Sequence, residues 1–286
     1  MKIGIIGLGL IGGSLGFDLR DRGHIIYGVS RKESTCQRAI ERGVVDHASI
    51  HINSLSTVDI IFLCTPIGLI YQTLKQLTFN LRPEVIITDV GSVKTAIVKE
   101  CEPLWSNFVG GHPMAGTAEQ GIEAAQKNLF KNAPYVITPT EKTPKTSIKI
   151  LENLVQSLGS KVYTCSPENH DQAVAWISHL PVMISASLIA ACLGEKETTV
   201  LNLAQQLASS GFRDTSRVGG GNPELGLMMA QYNKTALLKA LQGYRQQLDE
   251  VIEDINTEQW DSLEQLLIMT KKERNAWRIS SRSPFI

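Results

Sequence analysis

Residues 2–16 read Lys2-Ile-Gly-Ile-Ile-Gly7-Leu8-Gly9-Leu10-Ile11-Gly12-Gly-Ser-Leu-Gly16, which is an apolar run, a glycine-rich turn and the start of a helical pattern. The isoleucines indicate a short buried parallel strand, and the residues after Gly12 indicate a helix. The turn between them has the pattern G-x-G-x-x-G. Gly7 permits a tight turn, Gly9 lets the backbone approach a pyrophosphate, and Gly12 allows the helix to pack closely on the strand. This order predicts a dinucleotide-binding unit of the Rossmann type.

The N-terminus of the first helix suits the phosphates of a dinucleotide, because it offers free N–H groups and a partial positive charge. The alternative interpretation is a glycine-rich turn in another kind of α/β protein. We expect no secretory signal peptide here, because glycines interrupt the apolar run and no small-residue cleavage pattern follows it. The residues of the turn assigned to the cofactor are Gly7, Leu8, Gly9, Leu10, Ile11 and Gly12.

The second predicted strand ends without the carboxylate that would select NAD. Residues 24–29 form that strand, and Ser30-Arg31 follow it, with no acidic residue before Glu33. An Asp or Glu at this point hydrogen-bonds the ribose 2′-hydroxyl of NAD, whereas a hydroxyl and a guanidinium suit the 2′-phosphate of NADP. We therefore predict NADP as the cofactor, bound by Ser30 and Arg31. The alternative is that Arg31 is an ordinary surface residue.

The composition excludes several classes of protein. The chain has 286 residues, of which 28 are basic and 28 acidic, so its formal net charge is zero. Because no long run of charge is present, we expect neither a nucleic-acid partner nor a membrane partner. The five cysteines are scattered without a C-x-x-C pair, which predicts a reduced, cytoplasmic protein with no structural zinc and no other metal assigned.

Alternating strand and helix patterns continue to about residue 165 and then stop. Residues 59–64 indicate another buried strand, which ends at Thr65-Pro66, where a loop at the sheet edge would pass along the dinucleotide. We predict a doubly wound α/β sheet over residues 1–165. Helical periodicity follows, and we predict an all-helical domain over residues 166–286 that is apolar enough to form a homodimer interface. The predicted helices cover about residues 170–193, with Pro181 as the point of any bend, and 200–209, 223–256 and 261–274.

Four further motifs carry a resemblance to a known family. They are Asp89-Val-Gly-Ser-Val-Lys94, Gly111-His-Pro-Met-Ala-Gly116, Ser178-His-Leu-Pro181 and Gly211-Phe-Arg-Asp-Thr-Ser-Arg217. In this order, and over essentially the whole chain, they resemble the prephenate/arogenate dehydrogenase family. The second and fourth motifs are specific, whereas the glycine pattern alone is not. The resemblance implies a Rossmann domain followed by a helical dimerisation domain. It also implies oxidative decarboxylation of arogenate to tyrosine, or of prephenate to 4-hydroxyphenylpyruvate.

The resemblance places the catalytic base at His112 and a serine beside the substrate hydroxyl at Ser92. The reaction removes a hydride from C4 of a cyclohexadienol ring and a proton from the hydroxyl on that carbon. Carbon dioxide leaves as the ring becomes aromatic. Neutral imidazole is a suitable base for this step near neutral pH. The alternatives are a structural loop histidine at position 112 and a helix-capping serine at position 92.

Three residues of the helical half are assigned to the substrate on the strength of the resemblance. By itself His179 would be interpreted as a core histidine, but the S-H-L-P motif implies a role in positioning the substrate. A ring carboxylate needs a charge-assisted and preferably bidentate partner, and Arg217 is the first choice, with Arg213 the second. The alternative is an arginine paired with Asp214. The histidines that match no motif are assigned to structure or to the surface: His24, His47, His51 and His170.

Two features bear on the choice of substrate and of enzyme class. Many relatives carry a glutamate two residues after the glycine of H-P-x-A-G, where this chain has Ala118 followed by Glu119, so we assign no role to that acid in this chain. Compact relatives that use NADP often prefer arogenate, and we favour arogenate over prephenate. One alternative is a β-hydroxyacid or 6-phosphogluconate type of dehydrogenase, but the sequence has no lysine between Pro167 and Gly194 to serve as its acid/base. The other is a non-catalytic, dinucleotide-sensing protein, which would not need the residues assigned to catalysis.

Overall fold

One mixed β-sheet lies in the first of the two units into which the chain divides. The structure, a computed structural model, describes residues 1–117 and 119–277, so the departure from the family pattern at Ala118 lies outside the described residues. The first unit consists of Met1–Val174 and Gly221–Tyr232, and the second of Ala175–Gly220 and Asn233–Ile286.

The strands of the first unit are β1 (Lys2–Ile6), β2 (Ile25–Val29), β3 (His47–Ser49), β4 (Ile60–Leu63), β5 (Ile86–Asp89), β6 (Phe108–Pro113), β7 (Pro134–Thr138) and β8 (Lys161–Thr164). Their order across the sheet is β3-β2-β1-β4-β5-β6-β7-β8. Neighbouring strands are parallel except β6 and β7, which are antiparallel. The order reverses between β1 and β4, where sheets of this kind bind dinucleotides beyond the carboxyl ends of their strands. The predicted doubly wound sheet is therefore confirmed.

The helices are α1 (Leu10–Arg20), α2 (Glu33–Glu41), α3 (Ile67–Leu77), α4 (Thr95–Cys101), α5 (Lys145–Ser157), α6 (Pro167–Val174), α7 (Leu180–Leu193), α8 (Thr198–Leu207), α9 (Ser210–Ser216), α10 (Pro223–Tyr232), α11 (Lys234–Asn256) and α12 (Trp260–Ala276). The predicted helical domain after the sheet is confirmed. Helices α6 and α10 belong to the first unit by their contacts, and the other helices after β8 belong to the second.

The central strands are apolar on both faces because helices cover both faces of the sheet. Ile60 of β4 packs in a cluster that contains Leu15 of α1, whereas the next residue, Ile61, packs in a cluster that contains Ile70 of α3. Successive side chains of a strand point to opposite faces, so a strand buried on both sides needs a continuous apolar run. This packing fixes the carboxyl ends of β1, β2, β4, β5 and β6 at one edge of the sheet. The predicted cofactor and catalytic residues of the first unit lie at that edge.

Two of the predicted helices are interrupted. The pattern over residues 170–193 divides into α6, a π-helical turn at Ala175–His179, and α7. Pro181 at the start of α7 has no N–H to bond the preceding turn, and its ring crowds that turn, so a regular α-helix cannot continue through it. The pattern over residues 223–256 likewise divides at Asn233, which lies outside the helical region with a φ of −116° and a ψ of 32°.

The second unit leaves large apolar side chains on its surface. Leu207 is 70% exposed, and Leu193, Trp260 and Leu267 are also exposed. Apolar surface of this extent is typical of a face that a partner covers. The helical segment Pro167–Leu193 is long and apolar enough to cross a membrane by length and composition, but that single observation is weak, because core helices of soluble proteins pass the same test.

Candidate functional site

The glycine-rich turn fits a dinucleotide at each of its three glycines. Gly7 has a φ of +99°, and a Cβ there would lie 2.5 Å from the carbonyl oxygen of Cys64. A Cβ on Gly12 would collide with the carbonyl oxygen of Gly7. At Gly9, which directly precedes α1, a Cβ would meet nothing within 4 Å. Two glycines are therefore needed to fold the turn, and the third leaves the backbone open to a pyrophosphate at the helix N-terminus.

The end of β2 carries a hydroxyl and a cation rather than a carboxylate. Ser30 directly follows β2 and is half-buried, whereas Arg31 and Glu33 are exposed. Arg38 on α2 is already paired, because its Nε and Nη2 donate to the Glu123 carboxylate at 2.6 and 3.2 Å. Arg31 therefore remains the cation assigned to a 2′-phosphate.

The loop after β4 contains a buried hydroxyl with unmet hydrogen-bonding capacity. Oγ1 of Thr65 is buried and has no hydrogen-bond partner among the described residues. Buried polar atoms of this kind are rare in folded proteins, and a ligand or a water usually completes their bonding. Pro66 follows and directly precedes α3. The predicted cofactor residues Thr65 and Pro66 thus lie at the same edge of the sheet as the glycine-rich turn.

A buried ion pair joins the loop after β5 to β6. Asp89 ends β5, and Lys94 lies five residues later; both side chains are fully buried. Nζ of Lys94 donates to the Asp89 carboxylate and, at 2.7 Å, to the carbonyl oxygen of Gly111. Asp89 also accepts from the N–H of Gly91 at 2.8 Å and from that of Gly111 at 3.2 Å. Burial lowers the pKa of Lys94, and the charge of Asp89 opposes that shift. The pair fixes the two elements that carry the predicted catalytic residues.

The hydroxyl of Ser92 does not cap the helix that follows it. Its Oγ is buried and makes no hydrogen bond to any residue that the structure describes. The N–H groups of Lys94 and Thr95, at the start of α4, instead donate to the two carboxylate oxygens of Asp171 at 2.7 and 2.8 Å. Asp171 therefore takes the capping role that was the alternative for Ser92. Contact of Ser92 with a substrate hydroxyl stays a prediction, which its unmet hydrogen-bonding capacity favours.

The side chain of His112 is the first of three side chains that are joined by hydrogen-bond contacts. His112 is half-buried on β6, and its Nδ1 lies 2.8 Å from Nε2 of His170. Nδ1 of His170 lies 2.8 Å from Oδ1 of Asp171, and both residues are buried on α6. Burial by itself raises the pKa of Asp171, but hydrogen bonds from His170 and from the backbone of Lys94 and Thr95 hold that pKa below its usual value.

The structure narrows the assignment of His170, which the sequence left between structure and surface, because it excludes the surface. His170 is buried and bonded to the predicted catalytic base, which lies 58 residues earlier in the chain. The local signal that could have identified it is the pair His170-Asp171, an imidazole next to a carboxylate at the start of a helix. The pair by itself does not indicate that His170 contacts a residue of β6.

His179 is fully buried in the second unit, at the end of the π-helical turn. Nδ2 of Asn233 lies 3.1 Å from its Nδ1. Turns of this type occur frequently at functional sites, and a buried, hydrogen-bonded histidine is also compatible with a structural role. The positioning role of His179 stays a prediction.

The two arginines of the fourth motif differ in their surroundings. Nε of Arg213 lies 3.1 Å from Oδ1 of Asp214, and these side chains are 73% and 69% exposed. This is the ion pair that the sequence left open as an alternative. Arg217 is exposed and begins a short 3₁₀ turn, which the N–H of Gly219 anchors by donating to Oγ of Ser185 at 2.7 Å. The carboxylate-binding roles of Arg213 and Arg217 stay predictions.

Two family models match the chain. The model described as "Prephenate dehydrogenase, nucleotide-binding domain" matches residues 15–164. The model described as "Prephenate dehydrogenase, dimerization domain" matches residues 166–269.

Individual relatives agree with the two family models. The chain is 31% identical to the prephenate dehydrogenase of Bacillus subtilis (strain 168), over 91% of this chain and 71% of that protein. It is 60% identical to the arogenate dehydrogenase in a crystal structure from Synechocystis, which superimposes with a TM-score of 0.89 over 96% of this chain and 99% of that one. It is 29% identical to the prephenate dehydrogenase in an A. aeolicus crystal structure with hydroxyphenyl propionate and NAD⁺, with a TM-score of 0.91 over 96% and 98% of the two chains.

Proposed function

The chain belongs to the prephenate dehydrogenase family, and on this premise we propose that it oxidises arogenate with NADP to form tyrosine. Membership makes the protein an oxidoreductase with a nucleotide-binding domain. It also removes both alternatives weighed from the sequence, the β-hydroxyacid type of dehydrogenase and the non-catalytic dinucleotide sensor. The observation that carries the choice of arogenate is the 60% identity to an arogenate dehydrogenase over nearly the whole chain.

In the proposed mechanism His112 is the general base and Ser92 is its neighbour at the substrate hydroxyl. His112 takes the proton of the 4-hydroxyl, which a neutral imidazole can do near neutral pH. Oγ of Ser92 hydrogen-bonds that hydroxyl and so gains the partner that it lacks among the described residues. A bound nicotinamide cofactor would supply the acceptor for the hydride that leaves C4. The ring carboxylate departs as carbon dioxide, and its bonding electrons complete the aromatic ring. The C4 oxygen then regains a proton from the imidazolium of His112 and ends as a phenol hydroxyl.

The helical half supplies the residues that hold the substrate in this proposal. Arg217 binds the ring carboxylate, because a guanidinium offers two parallel hydrogen bonds to a carboxylate. Arg213 is the second candidate for that contact, and His179 positions the substrate. These assignments rest on the motifs of the sequence together with family membership.

The cofactor assignment rests on two features of the first unit. Gly7, Gly9 and Gly12 shape the turn that would receive the pyrophosphate, and Thr65 and Pro66 border it. Ser30 and Arg31 follow β2 where NAD-specific folds place a carboxylate, which favours NADP. The A. aeolicus relative binds NAD⁺ in its crystal structure, which supports a nicotinamide dinucleotide as the cofactor. The preference for NADP over NAD rests on Ser30 and Arg31 of this chain.

An assay of the purified protein tests the proposal directly. We expect nicotinamide fluorescence to increase when arogenate is added with NADP, and to increase more slowly with prephenate or with NAD. A faster reaction with prephenate would overturn the substrate assignment alone, and a faster reaction with NAD would overturn the cofactor assignment alone. Reduction with neither substrate, by protein shown to be folded, would reject the proposed activity.

Replacing Arg31 by Ala should weaken NADP binding far more than NAD binding. The variant loses a charge-assisted contact to the 2′-phosphate, worth about 1.5–3 kcal/mol, or about a ten- to hundred-fold change in Kd. Titration of protein fluorescence with each cofactor measures both constants. Lys75→Ala, which removes an exposed cation from α3, is the matched control and should change neither. Equal losses for NADP and NAD in Arg31→Ala would contradict the assignment.

We also propose that the enzyme is a cytoplasmic homodimer. The exposed apolar side chains of the second unit support dimerisation, and the family model that covers residues 166–269 is named for it. All five cysteines are free, as expected of a protein in a reducing compartment.

A further inference from the structure

We infer that His170 and Asp171 are positioning residues that set the tautomer of His112, so that its Nε2 carries the lone pair that acts as the base. The effect of this tautomer on catalysis rests on the proposed function, in which His112 is the general base. The tautomer itself is inferred from two contacts of 2.8 Å, one between His112 and His170 and one between His170 and Asp171. Neither positioning residue is assigned contact with the substrate.

The direction of these hydrogen bonds follows from the surroundings of Asp171. Its Oδ1 accepts from the N–H of Lys94 at 2.7 Å, and its Oδ2 accepts from the N–H of Thr95 at 2.8 Å. Both oxygens therefore face donors, and an ionised carboxylate can only accept. Nδ1 of His170 lies 2.8 Å from Oδ1 and must carry the hydrogen of that contact.

The tautomer of His170 then fixes that of His112. In its neutral form His170 has one N–H and one lone pair, so with Nδ1–H it presents the lone pair of Nε2 to His112. That nitrogen faces Nδ1 of His112 at 2.8 Å, which makes Nδ1 of His112 the donor. In neutral His112 the lone pair then lies on Nε2. The order of hydrogen bonds thus prepares the base form of His112 before substrate arrives.

The same order stabilises His112 after it has taken a proton. Nδ1–H of the imidazolium donates a charge-assisted hydrogen bond to His170, and the carboxylate of Asp171 lies at the end of the chain. No proton needs to pass from His112 to His170 or to Asp171. The arrangement resembles the way in which the aspartate of a serine-protease triad holds its histidine in the correct tautomer, with one more imidazole between the two.

His170 is the position at which this inference can be tested cleanly. Asp171 also bonds the first N–H groups of α4, so its replacement would disturb the helix as well as the tautomer. His170→Leu removes both ring nitrogens from the chain of hydrogen bonds. His170→Gln keeps an amide oxygen that can accept from His112 but breaks the link to Asp171. His51→Leu, at an exposed histidine of the same unit, is the matched control.

The kinetic test compares these variants with arogenate and saturating NADP. We expect His170→Leu to lower kcat by about 10- to 100-fold, as loss of a group that orients a catalytic imidazole commonly does. KM should change less than about two-fold, because orientation of a base affects the transition state rather than binding. His170→Gln should recover part of the loss, and His51→Leu should match the wild type. A normal kcat in folded His170→Leu would overturn the inference.

A spectroscopic test does not depend on activity. Proton–nitrogen correlation spectra of protein with ¹⁵N-labelled histidine report which ring nitrogen carries the hydrogen, and His112→Asn identifies the signals of His112. We expect neutral His112 to be protonated at Nδ1 in the wild type and to lose that preference in His170→Leu. Protonation at Nε2 in the wild type would overturn the inference even if every variant were inactive. The expected tautomer in a protein that oxidises neither substrate would reject the proposed function and leave the hydrogen-bond order intact.

Discussion

Replacing His112 by Asn should lower kcat by about 10²- to 10⁴-fold, which is the usual contribution of a general base. Asn is polar and is similar in size to part of the imidazole, so it preserves much of the packing on β6. It cannot take up a proton near neutral pH. The proton moves only as the reaction proceeds, so the loss should fall on kcat and on kcat/KM together, while KM stays within a few fold of the wild-type value.

The pH dependence gives a second readout of the same residue. Only the neutral imidazole can act as the base, so the wild-type rate should rise with pH as His112 loses its proton. His112→Asn should lose this rise. His51→Asn is the control, since it removes an exposed histidine of the same unit. A flat wild-type profile, together with a near-normal rate in His112→Asn, would remove His112 from the mechanism.

The fold could be predicted from the sequence where local pattern and tertiary structure agree. Gly7 and Gly12 of the first turn are required by local geometry, and the apolar run at residues 60–63 is what a strand covered on both faces requires. The direction of β7 could not be predicted in the same way. A parallel neighbour usually needs a crossover through an α-helix, whereas the described part of the segment between β6 and β7 contains only a 3₁₀ turn at Ile122–Ala124. The chain accordingly returns antiparallel.

The sequence predicts those residues of the candidate site that belong to recognisable motifs. Ser92 follows β5 and His112 lies near the carboxyl end of β6, at the same edge of the sheet, and the sequence motifs identify both. His170 and Asp171 were not assigned to the site, because their role depends on a contact between α6 and β6 that no local pattern encodes. The N-terminal cap of α4 could not be predicted for the same reason. Ser92 lies near the start of the helix in the sequence, but Asp171, which lies 77 residues after Lys94, accepts the hydrogen bonds in the structure. Long-range hydrogen bonds of this kind are visible only in the structure.

Replacing Arg217 by Ala should raise KM for arogenate by the equivalent of about 2–4 kcal/mol, or about 30- to 700-fold. The substrate carries a ring carboxylate that must be held before it is expelled as carbon dioxide. Removal of its partner leaves that carboxylate desolvated and unpaired, which accounts for most of the loss. The contact exists in the bound substrate as well as in the transition state, so the effect should fall on KM and leave kcat nearly unchanged. NADP affinity should also stay unchanged.

Arg213, the second candidate for the ring carboxylate, provides a comparison that tests the Arg217 prediction. Arg213 is paired with Asp214 in the structure, so Arg213→Ala should raise KM much less than Arg217→Ala. Its thermal stability should change little, because an exposed ion pair contributes little to the free energy of unfolding. Arg217→Lys should recover only part of the lost affinity, since an ammonium cannot reproduce the two parallel hydrogen bonds of a guanidinium. Arg245→Ala, at an exposed arginine of α11, is the matched control for loss of a positive charge from the second unit.

Steady-state kinetics of these four variants, with NADP saturating and folding checked by circular dichroism, separate the outcomes. A large KM effect in Arg217→Ala alone assigns the carboxylate to Arg217. Comparable effects in both alanine variants mean that the two guanidinium groups share the carboxylate, and that the pairing of Arg213 with Asp214 gives way when substrate binds. A normal KM in both folded variants would show that the carboxylate is bound elsewhere. In that case His179, the remaining residue assigned to the substrate, becomes the position to replace next, and the assignment of the fourth motif to substrate binding is wrong.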